Sequence, residues 1–130
     1  MKTDHIKQGK RADLDNRYYR SAWEANYARY LNFLLKHKQI FKWEYEPDTF
    51  WFDKIKRGTR HYTPDFKVWE TEESKPKYVE IKGYMDATSK TKLKRMAKYY
   101  PDVNIIICGR AEYYILQRQV AAMIDGWESG

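Results

Sequence analysis

The sequence holds a single cysteine, Cys108, and its longest uninterrupted aliphatic run is Ile105-Ile106-Ile107-Cys108. One thiol cannot close an internal disulfide, and without a second it cannot build a zinc cluster, so a reducing, cytoplasmic setting is expected. That run is far below the roughly 18 residues a membrane-spanning helix needs. The opening MKTDHIKQGKR has no apolar h-region, so neither a signal peptide nor a membrane partner is expected. With only 4 Pro and 6 Gly beside 42% hydrophobic residues, the composition excludes a collagen-like, low-complexity or wholly disordered chain. A length of 130 residues suits one packed core.

What is abundant is positive charge and aromatic rings. Lys and Arg number 25 against 18 Asp and Glu, a net charge of +7, and there are 12 Tyr and 5 Trp. Basic and aromatic together favour a nucleic-acid partner. The charge is uneven: residues 1–60 hold 14 basic and 8 acidic residues, 86–110 hold 6 and 2, and 65–82 hold 4 and 5. An acidic segment lies between two basic ones.

No repeat or flexible linker divides the chain, so residues 21–130 are expected to form a single domain behind a basic N-terminal arm, residues 1–20. The arm carries Lys2, Lys7, Lys10, Arg11, Arg17 and Arg20, either as a solvated tail or as a DNA-contacting segment. Tyr27, Ala28, Leu31, Leu34 and Leu35 recur at helical spacing and predict an amphipathic helix over Ser21–Lys38. Aromatic residues predict a strand over Trp43–Phe52, bent at Pro47-Asp48. Asp53–Arg60 is a basic turn, and two further strands are expected at Tyr62–Trp69 and Lys77–Tyr84. A helix over Ser89–Tyr100 is capped by Thr88 or Ser89 and shows Lys90, Lys94, Arg95 and Lys98 on one face. Val103–Cys108 reads as a central, buried strand, and Ala111–Asp125 as a last helix. The fold class is α/β, with a mixed sheet in α-β-β-β-α-β order and an added C-terminal helix.

The chemistry centres on Asp65, Glu80 and Lys82. Side chains alternate along a strand, so Glu80 and Lys82 share one face while Val79 and Ile81 take the other. Opposed residues in an antiparallel hairpin have a constant sum of numbers; pairing Asp65 with Glu80 centres the hairpin between Glu72 and Glu73, inside a polar turn. The two carboxylates then face each other, an arrangement that needs a cation, a shared proton or separation by solvent. Oxygen ligands from one or two carboxylates, completed by water and phosphate, suit Mg²⁺, with Mn²⁺ as its substitute. Lys82 would orient or deprotonate water, or stabilise developing charge on phosphate. Glu24 lies within about 20° of Leu31 and Leu35 around the first helix. It is either a third site acid or the N3 member of a capping box begun by Ser21. Lys54, Lys56, Arg57 and Arg60, with the Lys90–Lys98 face, would contact the DNA backbone, the alternative being a solvated surface. His61 reads as a surface or turn residue, and Glu44 and Glu46 as structural, the alternative being that either approaches the metal from the adjacent strand.

These residues resemble the motif of the PD-(D/E)XK nuclease superfamily, here Pro64-Asp65 followed by Glu80-Ile81-Lys82, over about residues 21–108. The segments Trp23–Leu31 and Tyr62–Phe66 also resemble a family of small phage-encoded proteins, and the layout is similar to archaeal-type Holliday junction resolvases, which combine a helical Glu with this motif. The resemblance implies a restriction-endonuclease-like core and Mg²⁺-dependent hydrolysis of DNA phosphodiesters. It further implies Asp65, Glu80, the Ile81 carbonyl and Glu24 as metal ligands, and Lys82 near the attacking water. The resolvase-like layout implies a homodimer acting on branched DNA, in the cytoplasm of a bacterial host if phage-encoded. Tyr113, Leu116, Val120 and Ile124 would supply the interface, unless they cover the chain's own sheet.

Overall fold

The structure is a computed structural model that describes residues 7–129. Lys2 of the expected arm lies outside the described residues. In chain order the elements are β1 (Gly9–Arg11), β2 (Arg17–Tyr19), α1 (Ala22–Lys36), β3 (Lys42–Tyr45), β4 (Phe50–Trp51), β5 (His61–Tyr62), β6 (Phe66–Trp69), β7 (Lys77–Ile81), α2 (Ala87–Tyr99), β8 (Asn104–Cys108) and α3 (Arg110–Val120). The fold is mixed α/β with a mixed sheet. Its described residues divide into two compact units, one of those up to residue 40 with those from 111 onward and the other of residues 41–110. No helix among the described residues is long and apolar enough to cross a membrane.

In the first unit, the stretch expected as a polar arm is instead, from Gly9 to Tyr19, an antiparallel hairpin. Its reversal places Asp15 and Asn16 at positive φ, which these two residue types tolerate best after glycine. Leu14 and Tyr19 are buried, and so is Arg11, whose guanidinium forks onto the Glu128 carboxylate at 2.8 and 3.0 Å. Polar composition concealed this element because its cohesion comes from an ion pair with a residue 117 positions away.

Helix α1 begins at Ser21, whose hydroxyl accepts the Glu24 N–H at 3.1 Å. It runs without Gly, Pro or a β-branched residue to His37 and ends where Lys38 turns left-handed. Its buried residues are Ala22, Trp23, Glu24, Ala25, Asn26, Ala28, Arg29 and Leu31, a face rotated from the expected stripe so that Leu35 is 41% exposed while Glu24, as expected, lies inward. The rotation buries Asn26 and Arg29, whose side chains are hydrogen-bonded. Arg29 forks onto Asp13 at 2.7 and 3.0 Å and reaches Glu128 at 2.8 Å, while Asn26 donates to the Tyr113 hydroxyl and the Glu128 carbonyl, both at 2.8 Å.

The expected last helix stops at Val120, followed by a 3-10 turn over Ala121–Met123. Tyr113 stacks on Trp23 with ring centroids 4.2 Å apart, and Val120 is buried. Both positions are thus occupied within the same chain. Gly126 is required where it stands: φ is +83°, and a Cβ there would lie 2.9 Å from the Asp13 carboxylate.

In the second unit the sheet order is β3-β6-β7-β8, with β3/β6 and β6/β7 antiparallel and β7/β8 parallel. The expected strands 43–52 and 62–69 are each split, because the chain leaves the sheet at Pro47-Asp48 and rejoins it after Pro64. The pieces between, β4 and β5, pair as a separate ribbon. Strand β8 stands at the end of the sheet order rather than its centre, and Ile106 is 40% exposed. A run of isoleucines marks β propensity and not a central position. Phe52, Tyr62 and Met96 form a core with Phe50, Ile55, Tyr99, Tyr100, Val103 and Ile105 packed around it. Helix α2 is capped by Asp86, which accepts the Ser89 N–H at 2.8 Å, rather than by Thr88 or Ser89.

Candidate functional site

The β6–β7 ladder pairs Phe66 with Val79 and Lys67 with Tyr78. One step further along that register Asp65 stands opposite Glu80, as the turn centre predicts. The two carboxylates are held by main-chain donors from each other's strand. Asp65 Oδ2 accepts the Ile81 N–H at 2.8 Å, and Glu80 Oε1 accepts the Asp65 N–H at 3.3 Å. Asp65 is 2% exposed, so its hydrogen bond is made away from water. The like-charge repulsion expected of this pair is thus offset in part by N–H dipoles.

Tyr62, on β5, adds an O–H donor to Glu80 Oε1 at 3.0 Å. Burial first, then the negative charge and hydrogen bond of Glu80 and the charge of Asp65, push its phenol well above the usual range, so it remains a donor. Lys82 continues the strand, its N–H donating to the Cys108 carbonyl at 3.0 Å. Its side chain lines a pocket with Tyr62, Glu80, Met85, Ser89, Lys92 and Leu93.

Tyr62 and Lys92 are the pocket residues that sequence reasoning missed. Lys92 sits on α2 with its ammonium 6.0 Å from the centre of the Tyr62 ring. Its signal was angular: about 40° from Met96 around the helix, it belongs to the inward side and not to the face of Lys90, Lys94 and Lys98. Asp86 has its carboxyl lowered first by its hydrogen bonds with Ser89 and then by the charges of Lys82 and Lys92.

Beside the acid pair, Lys67 and Tyr78 face each other across the ladder and both donate to Asp48 Oδ2, Lys67 at 2.7 Å. Hydrogen bonds from Lys67 and Tyr78 hold the Asp48 carboxyl below its usual value, and burial followed by the Asp48 hydrogen bond pushes the Tyr78 phenol up to about 12. Asp48, expected only to bend a strand, neutralises the lysine nearest in sequence to Asp65.

Glu24 lies in the other unit, near the start of α1, with its backbone N–H on Ser21 and its carboxylate 3.8 Å from Arg20 Nε. Among the described residues no group of three or more His, Cys, Asp or Glu is arranged to hold a metal. The carboxylates brought together here are Asp65 and Glu80, the latter lining the pocket. Two carboxylates fit Mg²⁺, which keeps waters and takes substrate phosphate in its other positions. Ile81 enters the site through its N–H on Asp65. Glu46 is also tied to the site through its main chain, its N–H donating to the Asp65 carbonyl at 2.7 Å, and Glu44 lies 3.9 Å from Lys42.

Of the expected DNA contacts, Lys54, Lys56, Arg57 and Arg60 are exposed on the β4–β5 loop, and Lys90, Lys94 and Lys98 are exposed on α2. Arg95 differs: it is half-buried, and its guanidinium donates to the Thr59 carbonyl. It joins the two basic segments instead of projecting from one. His61 is exposed, as expected of a surface residue, with its ring against Trp51.

No curated protein and no solved structure matches the chain. A family model described as a protein of unknown function, DUF1064, matches residues 5–115. That span covers most of the chain, and the chain belongs to the DUF1064 family.

Proposed function

We propose that this protein is a metal-dependent endodeoxyribonuclease of the PD-(D/E)XK type, hydrolysing DNA phosphodiesters with Mg²⁺ or Mn²⁺. The observation that carries the reading is the interlocked Asp65–Glu80 pair, with Lys82 two residues on in the adjoining pocket. The order of elements supports it too: α1, the antiparallel strands β3, β6 and β7, then α2 and the parallel β8, with α3 added, is compatible with the restriction-endonuclease-like core we propose, the β4–β5 ribbon being an insertion in it.

In this reading Asp65, Glu80 and the Ile81 carbonyl would hold the ion, with Glu24 the further acid that the motif resemblance implies. Held there, the ion would supply Lewis acidity, the chemistry that lowers the pKa of water toward neutrality and polarises a phosphate. Lys82 orients that water or offsets charge developing on the phosphoryl oxygens. Lys92 brings a second ammonium to the same pocket. The exposed lysines and arginines track the backbone without reading sequence. A homodimer acting on branched DNA, in the cytoplasm of a bacterial host, completes the proposal, since paired incisions are most simply made by two copies.

Matched linear, flap and four-way DNA substrates incubated with the protein and Mg²⁺ test it. Cleavage is expected with the metal, not with EDTA, and most on the four-way substrate. Binding without cleavage of any substrate would leave a non-catalytic DNA-binding module. Equal cutting of linear and branched DNA would remove the structure preference, and a monomer throughout the micromolar range would remove the dimer. Glu24→Gln should fold normally and cut poorly; normal cutting would return Glu24 to capping alone.

A further inference from the structure

Strands β4 and β5 sort their side chains by alternation. Phe50, Phe52 and Tyr62 belong to the core around Met96, whereas Trp51 and His61, directly opposed, point the other way. The ribbon is fastened from its inner side. Phe50 meets Tyr78 and Tyr100 edge-on at 5.4 and 5.0 Å, and the Tyr100 hydroxyl donates to the Trp51 carbonyl at 2.6 Å. At its base the Thr49 and Thr63 hydroxyls share a hydrogen bond of 2.7 Å. Trp51 is thus held outward, 52% exposed, with the His61 ring 4.8 Å away and tilted by 37°.

A lone exposed tryptophan is ordinary on a protein surface. Its surroundings set this one apart. A depression beside the indole is lined by Asp53, Ile55, Lys56 and Arg60. The loop closing the ribbon carries Lys54, Lys56, Arg57 and Arg60 against the single acid Asp53. A flat ring beside converging cations matches a nucleotide, which offers a π-face and a phosphate.

We propose that Trp51 and His61 form a stacking platform for an unpaired nucleobase, with Lys56 and Arg60 taking the adjoining phosphates, so that the strand seated on this ribbon is single-stranded. A base inside a duplex has both faces covered by its neighbours, whereas a frayed, flapped or unpaired base leaves one open for the indole. The inference rests on the nucleic-acid reading above and deepens it by naming the form of the substrate. The ribbon is also connected to the acid pair, since Tyr62 follows His61 and bonds Glu80.

Fluorescence anisotropy with labelled oligo(dT) of about twelve nucleotides and a duplex of equal length, both in EDTA, tests the platform without any cutting. Trp51→Ala should weaken oligo(dT) binding about 10- to 100-fold and duplex binding far less, while Trp51→Tyr should retain most of the affinity. Lys56→Ala and Arg60→Ala should each lower the salt dependence of binding by roughly one phosphate's worth. Circular dichroism checks that the variants fold. Wild-type oligo(dT) affinity in a folded Trp51→Ala variant, equal losses on oligo(dT) and duplex, or no oligo(dT) binding by the wild type would each overturn the proposal. Trp51-dependent binding by a protein that cuts no DNA would leave the platform standing and remove the nuclease. Cutting that is indifferent to Trp51 would do the reverse.

Discussion

Tyr62 and Glu80 are joined by a hydrogen bond of 3.0 Å between a buried phenol and a carboxylate. The bond fixes one oxygen of Glu80 from the direction of the ribbon. Tyr62→Phe keeps the ring and deletes that donor, and a hydrogen bond to a charged group contributes about 1.5–3 kcal/mol. Stability to urea should fall by that order. Because Glu80 then loses a restraint on its rotamer, the nuclease proposal further expects the Mg²⁺ concentration for half-maximal cleavage to rise several-fold.

Asp65 separates a charge effect from a folding effect. Its Oδ2 accepts the buried Ile81 N–H, so Asp65→Ala leaves that donor unpaired at a cost of about 1–3 kcal/mol. Asp65→Asn retains an acceptor while losing the charge. Under the nuclease proposal the Asn variant should melt close to wild type, cleave at least about 100-fold more slowly, and bind DNA undiminished. Calorimetry and single-turnover rates on both variants distinguish the two effects.

Neighbouring cations on α2 should behave oppositely. Lys94 is exposed, and its replacement by Ala should lower the log–log salt slope of DNA binding by about 0.9 with no change in melting temperature. Arg95 holds the Thr59 carbonyl, so Arg95→Ala should loosen the β4–β5 loop, seen as faster amide exchange over residues 53–60.

The network among Arg11, Asp13, Arg29 and Glu128 gives stability a defined pH dependence. Hydrogen bonds from Arg29 hold Asp13 below its ordinary value of 3.8. Burial pushes Glu128 up, but Arg11 and Arg29 together bring it below 4.5. Both acids bind protons more weakly when folded, so their contribution is complete above the unfolded values and is lost as pH falls through the folded ones. Urea midpoints should be level from neutrality to about pH 5 and decline below it. Glu128→Gln should lower the plateau and flatten the decline.

The opposition of Asp65 and Glu80 is legible in the sequence because both strands alternate cleanly and the polar turn between them has a definite centre. The partition of neighbouring segments is not. Trp43–Phe52 is aromatic throughout, and nothing local says that Trp43 joins the main sheet while Trp51 joins a ribbon; Pro47 marks the break without giving its consequence. The hairpin at Gly9–Tyr19 is hidden for a different reason, since Arg11 reads as a solvent residue until Glu128 is beside it. Lys92 and Tyr62 escaped because a cation and a phenol gain meaning at a pocket only when its walls are known. Arg95 shows the converse, a residue of the right charge whose guanidinium is already engaged by the backbone.

The interruption of one unit by the other imposes an order on synthesis. A ribosome reading this chain delivers all of residues 41–110, sheet and acid pair included, before it delivers Tyr113 to Trp23 or Glu128 to Arg29. The separation between Arg29 and Glu128 is 99 residues, about 5–20 s of elongation at roughly 5–20 residues per second. During that interval α1 has been made but lacks the stacking ring and the carboxylate that complete its buried face. The nascent chain therefore carries an early, locally closed sheet and a late clasp, and α1, made before both, keeps Asn26 without its Tyr113 and Glu128 partners until those residues emerge.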